Sequence, residues 1–219
     1  MAKLFVKYDR RLRSVLGYRA VWEPGATISL GDVVTRKRGL FTDVARLSDW
    51  GVRFRRERRR EARLTLNAQG VSETLLQLGA EVAGVSDLKP DIEAELKIRF
   101  GQSHSYCLKT TSLSGEDIGD MARVGRRITA IEDWRFRDYW VVWRVLVAKD
   151  FTFLGSMGKN REISLAGSGK SIAKFLESGV SGALERSSSR KLDLEIIGSQ
   201  GPIAIGVTRI RKDGRLRDV

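Results

Sequence analysis

The most regular stretch of the chain is residues 92–100, IEAELKIRF, where Ile92, Ala94, Leu96, Ile98 and Phe100 alternate with polar neighbours. A period of two puts all five on one face, so this segment predicts a half-buried strand. Tyr106 and Leu108 are expected to continue that ladder beyond Gly101. Residues 139–148, YWVVWRVLVA, are almost unbroken in aromatic and β-branched side chains and predict a central strand buried on both faces. Residues 151–154 are expected to pair back after a turn at Lys149-Asp150, with Gly155 and Gly158 flanking the next turn. Further strands are expected at residues 18–22, closed by Pro24-Gly25, and at residues 30–35 and 163–166. Leu192, Leu194 and Ile196 alternate with charges, and Gly201-Pro202 predicts a turn before a closing strand over residues 203–209.

Helical spacing occurs in four places. In residues 3–19, Leu4, Phe5, Tyr8, Leu12, Val15 and Leu16 recur with Lys and Arg between them, which predicts a basic amphipathic helix ended by Gly17. Leu40, Val44, Leu47 and Trp50 have helical or turn spacing. Ser114-Gly115-Glu116-Asp117 fits a capping box opening a short helix with Ile118, Met121 and Ala122. Residues 171–184 carry Ile172, Phe175, Leu176, Val180, Ala183 and Leu184 on one helical face. Gly179 and Gly182 weaken that helix by about 1 kcal/mol each relative to alanine. Residues 71–83 form a mixed apolar stretch rich in small residues, broken at 87–90. With no repeat or low-complexity linker, the pattern predicts one α+β domain spanning residues 1–219.

Composition adds charge to this picture. Hydrophobic residues are 42% and charged residues 31%, a folded core under a heavily charged skin. Cys107 is the single cysteine, so an intramolecular disulfide framework is excluded and a reducing cytosol is expected. The N-terminus lacks a secretory pattern, and no run reaches the roughly 18 uncharged apolar residues of a membrane helix, so a soluble chain is expected. The 40 Lys and Arg against 27 Asp and Glu give a net charge of +13, a field that concentrates polyanions at the surface. The densest block is residues 53–63, RFRRERRREAR, with seven arginines against two glutamates. It reads either as a solvated strand or helix face or as an anion-facing patch.

Tests for chemistry come back empty. Gly167-Ser168-Gly169-Lys170-Ser171 resembles the end of a phosphate-binding loop, but the required first glycine is Ser164, so a loop entering a helix is preferred. His104 and Cys107 stand three apart, opposite faces of a strand, and two such residues cannot furnish a four-ligand zinc site. Glu93/Glu95 and Asp193/Glu195 are spaced for the solvated face of a strand. Trp134-Arg135-Phe136-Arg137 is the only stretch with the composition of a base-stacking platform. No catalytic residue, metal or cofactor is expected.

Taken in order, the segments across residues 4–211 resemble the bacterial, pore-forming branch of the gasdermin family. The resemblance is one of layout, without a short invariant motif. It runs from the opening helix through Gly17-Tyr18-Arg19-Ala20-Val21 and Pro24, LGDV at residues 30–33 and LSDW at residues 47–50. It continues through the Gly/Ala-rich residues 75–85 into IEAELKIRF, the segment at Ser114, YWVVWRVLVAKDFTF, and the closing pair over residues 192–211. The resemblance implies a twisted central antiparallel sheet with peripheral helices. It also implies conversion of two regions, here residues 64–100 and 151–197, into amphipathic hairpins of a large β-barrel on a membrane. Three departures stand out. The family's lipidated N-terminal cysteine is absent, the arginine excess is large, and only the short KDGRLRDV tail follows the closing strand. Either another chain supplies the inhibition that a protease relieves in that family, or the chain has been shortened, or pore formation has been lost.

The expected function is therefore a non-enzymatic pore former of bacterial antiphage defence, cytoplasmic until it moves to the inner membrane and oligomerises. Anionic lipid is expected at Lys3, Lys7, Arg10, Arg11, Arg13, Arg53, Arg55, Arg56, Arg58, Arg59, Arg60 and Arg63. Membrane insertion is expected of Leu75, Leu76, Leu78, Ile92, Leu96, Ile98, Phe100, Ile172, Phe175, Leu176, Leu192 and Leu194. The rival reading is a nucleic-acid-binding module using the same arginines. A third, a phosphate-ligand enzyme, would be built on residues 167–171.

Overall fold

The structure is a computed structural model describing residues 2–37, 40–61, 64–178, 185–189 and 193–217, with backbone only at 60, 61, 178 and 185–189. Helix α1 (Ala2–Leu16) leads to β1 (Arg19–Ala20), the hairpin strands β2 (Asp32–Lys37) and β3 (Leu40–Arg46), and a 3-10 turn at Leu47–Trp50. Then come β4 (Arg56–Glu61), β5 (Thr65–Asn67), β6 (Val71–Gln77), β7 (Ala80–Val82), β8 (Glu93–Phe100) and β9 (Ser105–Ile118). Helix α2 (Met121–Ile128) precedes the long strand β10 (Tyr139–Ser156), followed by β11 (Arg161–Ser168) and helix α3 (Gly169–Ser178). β12 (Glu185–Ser189), β13 (Leu194–Ile210) and β14 (Leu216–Arg217) complete the chain. These strands form a nine-stranded and a five-stranded sheet, and the pairs with a given register are antiparallel. The fold is α+β, with an antiparallel sheet and helices at its periphery.

Two compact units interleave along the sequence. One holds residues 1–11, 62–113 and 148–200; the other holds residues 12–61, 114–147 and 201–219. β9, β10 and β13 each contribute one end to one unit and the other end to the other.

In the first unit the five-stranded sheet has the order β12-β11-β8-β6-β7. β8 is its middle strand, paired with β11 from Phe100↔Arg161 to Glu93↔Ser168 and with β6 from Phe100↔Val71 to Ala94↔Gln77. The period of two read from IEAELKIRF is realised: Ala94, Leu96, Ile98 and Phe100 are buried, whereas Glu93 and Arg99 are exposed. With Leu88, Cys107, Leu154, Ile163 and Leu165 they form a core that also receives Ile172 and Phe175 of α3. The first turns of α1 add Leu4, Phe5 and Tyr8, all buried, to this unit. Tyr8 meets Tyr106 and Phe153 edge-on, each at 5.2 Å between ring centroids, a geometry aromatic quadrupoles favour.

The second unit is built on β1 paired with β13 (Arg19↔Ile205), β10 with β2 (Tyr139↔Thr35), and β2 with β3 (Asp32↔Arg46 to Lys37↔Leu40). Its core gathers Val33, Val34, Trp140, Val141, Val142 and Val145 from β2 and β10 with Val124 and Ile128 of α2 and Ile205, Val207 and Ile210 of β13.

The structure corrects five local expectations. Residues 40–46 are an edge strand: Leu40 and Val44, which carried the helical spacing, are 40% and 47% exposed, and pairing with β2 decides their conformation. The capping box is strand, because Ser114, Gly115, Glu116 and Asp117 belong to β9 and α2 starts after Asp120. Asp117 is buried on Arg144. No turn falls at Lys149-Asp150; β10 continues, with Asp150 at φ 43° and Thr111 Oγ1 donating to the Lys149 carbonyl at 2.6 Å. β13 likewise runs through Gly201-Pro202, whose Pro202 carbonyl accepts the Gly25 N–H at 2.8 Å. Finally, Tyr106 and Leu108 lie in β9, which pairs with β4, β5 and β10, so they do not extend the ladder of β8. For residues 40–46 the hairpin partner β2 supplies the hydrogen bonds that local signals left open, and in the other cases partners more distant in sequence do so.

Candidate functional site

The arginine run forms β4 and the loop before it, in the second unit. Its guanidiniums are not equivalent. Arg55 pairs with Glu57, Arg58 Nε lies 3.2 Å from Glu116 Oε1, and Arg59 Nε lies 3.4 Å from Asp117 Oδ2. Asp117 is buried and also receives two hydrogen bonds from Arg144, whose guanidinium in turn donates to the Tyr18 hydroxyl. Arg144 is further held 4.9 Å from the Trp143 ring centroid and 5.1 Å from that of Tyr18. Burial holds the Arg144 guanidinium below its ordinary range, a cost offset by the bidentate carboxylate. Arg59 is thus part of a structural ion cluster. Arg53 and Arg56 are exposed, and among the described residues neither has a carboxylate partner; Arg56 lies 6.0 Å from the Phe54 ring centroid. Arg60 has only its backbone described, and Arg63 lies outside the described residues.

Helix α1 leaves Lys3, Lys7, Arg10, Arg11 and Arg13 exposed while Leu4, Tyr8 and Leu12 are buried. Lys7 Nζ donates to the Ser103 carbonyl at 2.9 Å. Gly17 ends the helix with φ 76° and its N–H on the Arg13 carbonyl at 3.0 Å, a left-handed cap that glycine adopts without steric cost.

The apolar residues expected to insert are all in the first unit. Leu96, Ile98, Phe100, Ile172 and Phe175 are fully buried, where the sheet's β8 and β11 meet α3. Leu75, Leu76, Ile92, Leu176 and Leu194 are half-buried, and Leu192 lies outside the described residues. Leu78 differs from all of these. It is 79% exposed at the tip of the β6–β7 hairpin, with φ 54°, followed by Gly79 at φ 79°. Asn, Asp or Gly is the ordinary occupant of that first left-handed position, so a bare leucine there is costly to local conformation and gains nothing by burial.

The remaining candidates are structural. Ser168 caps α3, its Oγ accepting the Ser171 N–H at 3.2 Å. The Gly169 and Lys170 N–H groups are spent on the carbonyls of Ile92 (2.8 Å) and Pro90 (3.0 Å), leaving no cradle for a phosphate there. A Cβ on Gly169 would lie 2.2 Å from the Lys89 carbonyl oxygen, so the glycine serves a close backbone approach. His104 sits in a turn at φ 56°, not on a strand. Cys107 is buried in the core and its thiol is pushed up to about 12 by desolvation, so it is no nucleophile. Trp134 is buried against Trp50 and Tyr139 at 5.4 and 5.3 Å, which removes the stacking platform. Asp193 closes the turn after β10, its Oδ2 accepting the Met157 N–H at 2.6 Å. Among the described residues no cluster of His, Cys, Asp or Glu could hold a metal, and no helix is long and apolar enough to cross a membrane.

Besides the cluster around Asp117, sequence reasoning missed two further polar clusters. Lys109 Nζ, on β9, lies 2.8 Å from Glu73 Oε2 on β6, with Asn67 Nδ2 donating to Glu73 Oε1 at 3.1 Å. Asp32 is buried beside Arg46 at the start of β2. The available signal was a charged residue at an inward position of an apolar strand, Lys109 after Tyr106-Cys107-Leu108 and Asp32 before Val33-Val34.

No family model matches the chain, and no curated protein matches it. Among solved structures, the chain is similar to a bacterial gasdermin. That protein, from Bradyrhizobium tropiciagri, is 11% identical over 97% of this chain and 90% of its own, with a TM-score of 0.39.

Proposed function

We propose that this chain is a gasdermin-like pore former, non-enzymatic, that oligomerises on anionic membrane into a β-barrel after release from inhibition by a protease or a partner chain. In this reading it serves bacterial antiphage defence, resting in the cytoplasm and acting at the inner membrane. One observation carries the proposal. Strands from both regions expected to become hairpins, β6, β7 and β8 of the first and β11 and β12 of the second, share the five-stranded sheet of the first unit, and α3 packs against β8 and β11. β8 already has the alternation a membrane strand of roughly 9–11 residues requires. Lifting α3 would withdraw Ile172 and Phe175 from the core they share with β8 and β11, and α3 is short and followed by glycines that weaken helix. The exposed cations of α1, with Arg53 and Arg56, supply attraction to anionic lipid.

The test is dye release from anionic and neutral vesicles by the Pro90→Cys/Lys170→Cys variant, whose two positions share the 3.0 Å backbone hydrogen bond. Release from anionic vesicles by the reduced protein, blocked on oxidation and restored by reductant, is expected. Equal release in both redox states rejects α3 lifting. No release from any vesicle, with stoichiometric binding of DNA, transfers the arginines to the nucleic-acid reading.

A further inference from the structure

β3 lies at an edge of the nine-stranded sheet, where the order β1-β13-β10-β2-β3 ends. It pairs with β2 from Lys37↔Leu40 to Asp32↔Arg46, and one extra residue, Val44, bulges between Asp43 and Ala45. Successive residues of an antiparallel strand turn their N–H and C=O groups to opposite sides, so alternate residues of β3 aim theirs away from β2. The Arg46 N–H is taken by Asp49 Oδ2 at 2.8 Å; the outward groups of residues 40–45 have no partner among the described residues. Natural proteins guard such edges with charge, proline, shortness or a cover. β4, whose partner among the described residues is β9, carries only arginine and glutamate. β3 is not guarded in that way. Leu40 and Val44 are exposed, Phe41 is half-buried against Trp140 at 5.9 Å between ring centroids, and Asp43 is its one carboxylate. The bulge interrupts it at Val44 and leaves residues 40–43 in register.

Charge selects what can lie along this edge. Arg36 and Lys37, opposite Phe41 and Leu40, are exposed and have no carboxylate partner among the described residues. Arg46, at the other end, faces Asp32 at 3.5 Å. The open positive charge therefore stands at the Leu40 end. A second copy paired antiparallel would bring its own exposed Arg46 to that end, like charge against like. We propose that β3 receives an extended, antiparallel segment of a partner protein. The C-terminal end of that segment carries acidic residues beside Arg36 and Lys37, and its apolar side chains cover Leu40 and Val44. Main-chain hydrogen bonds along the edge hold the segment, and the charges fix its direction. The surface lies within the second unit and needs neither anionic lipid nor movement of α3, so it stands apart from pore formation.

The experiment titrates the full chain with three acetylated, amidated peptides. They are Thr-Val-Thr-Val-Thr-Val-Glu-Glu, the same peptide ending in Lys-Lys, and Glu-Glu-Thr-Val-Thr-Val-Thr-Val. Calorimetry reads affinity, and amide hydrogen exchange followed by NMR reads location. The first peptide is expected to bind at least about fivefold tighter than either of the others and to slow exchange of the outward amides of residues 40–45. Arg36→Gln/Lys37→Gln is expected to erase that preference while melting like the parent. Of Thr42→Pro and Asp43→Pro, the one whose amide exchanges freely in the parent removes only an outward donor; it is expected to fold and to abolish binding. Equal affinity for the three peptides overturns the role of Arg36 and Lys37. No binding, or binding that leaves exchange in β3 unchanged, overturns the surface, whatever the outcome of dye release. Protection of β3 that grows with protein concentration in the absence of peptide assigns the edge to a second copy and overturns the partner.

Discussion

Lys109 Nζ is 2.8 Å from Glu73 Oε2, with the Lys109 side chain only 4% exposed and its ammonium 5.4 Å from the centroid of the Phe175 ring. One cation thereby ties the first-unit end of β9 to β6 and faces α3. A buried ammonium is tolerable only with its partner in place, so losing one member is far worse than losing both. Lys109→Met is expected to lower stability by about 3–5 kcal/mol, and Lys109→Met/Glu73→Leu to recover much of that loss. Urea unfolding of the four proteins of the cycle measures the coupling; a value near zero means the pair holds nothing.

The arginines of β4 should separate into two classes. Arg59→Glu would set a carboxylate beside buried Asp117, so destabilisation of about 1–3 kcal/mol is expected. Arg56→Glu changes an exposed side chain without a carboxylate partner among the described residues and should stay within about 0.5 kcal/mol. Thermal melts decide this, and equal effects would contradict the ion cluster. Any charge-reversal test of lipid binding therefore uses Arg53 and Arg56.

At the start of α3, structure and ligand readings predict opposite results. Gly169→Ala should cost about 1–3 kcal/mol, because its Cβ would strike the Lys89 carbonyl oxygen. Lys170→Ala, at an exposed position, should be within about 0.5 kcal/mol of the parent. Neither the parent nor Lys170→Ala should retain a nucleotide in equilibrium dialysis. Nucleotide binding lost on Lys170→Ala would restore the phosphate loop.

Cys107 should resist thiol reagents at pH 8 in the folded protein and react at the rate of unfolding. Its thiol is raised from 9.0 to about 12, by desolvation first and by Glu73 in lesser part, with Lys109 opposing. The folded chain therefore keeps a proton that the unfolded chain gives up above pH 9, and stability falls as pH rises from there toward 12. Stability profiles of the parent and Cys107→Ala should diverge over that window, with the steeper decline in the parent. Identical slopes would assign the decline to other groups.

Several features were legible before any coordinates. The strand at residues 92–100 follows from its own alternation, and α1 from its apolar stripe and Gly17, because the sequence period and the buried face coincide. The broad α+β class was readable in the same way, whereas residues 167–168, read as a loop, are the end of β11. The clusters around Asp117, Glu73 and Asp32 were not, since each joins side chains from distant positions: Asp117 to Arg144 and Arg59, Glu73 to Lys109, Asp32 to Arg46.

The sequence alone determined where charge is concentrated, which segment alternates, and that Cys107 stands without a disulfide partner in the chain. Those are properties of composition and period, carried by each residue and its near neighbours. Tertiary structure decided that the Ser114–Asp117 box is strand, that β10 and β13 run on through their turn signals, and which arginines are committed to carboxylates. Strand pairing and ion pairing are satisfied by partners far along the chain, and only their convergence in space selects among the conformations that local propensity leaves open.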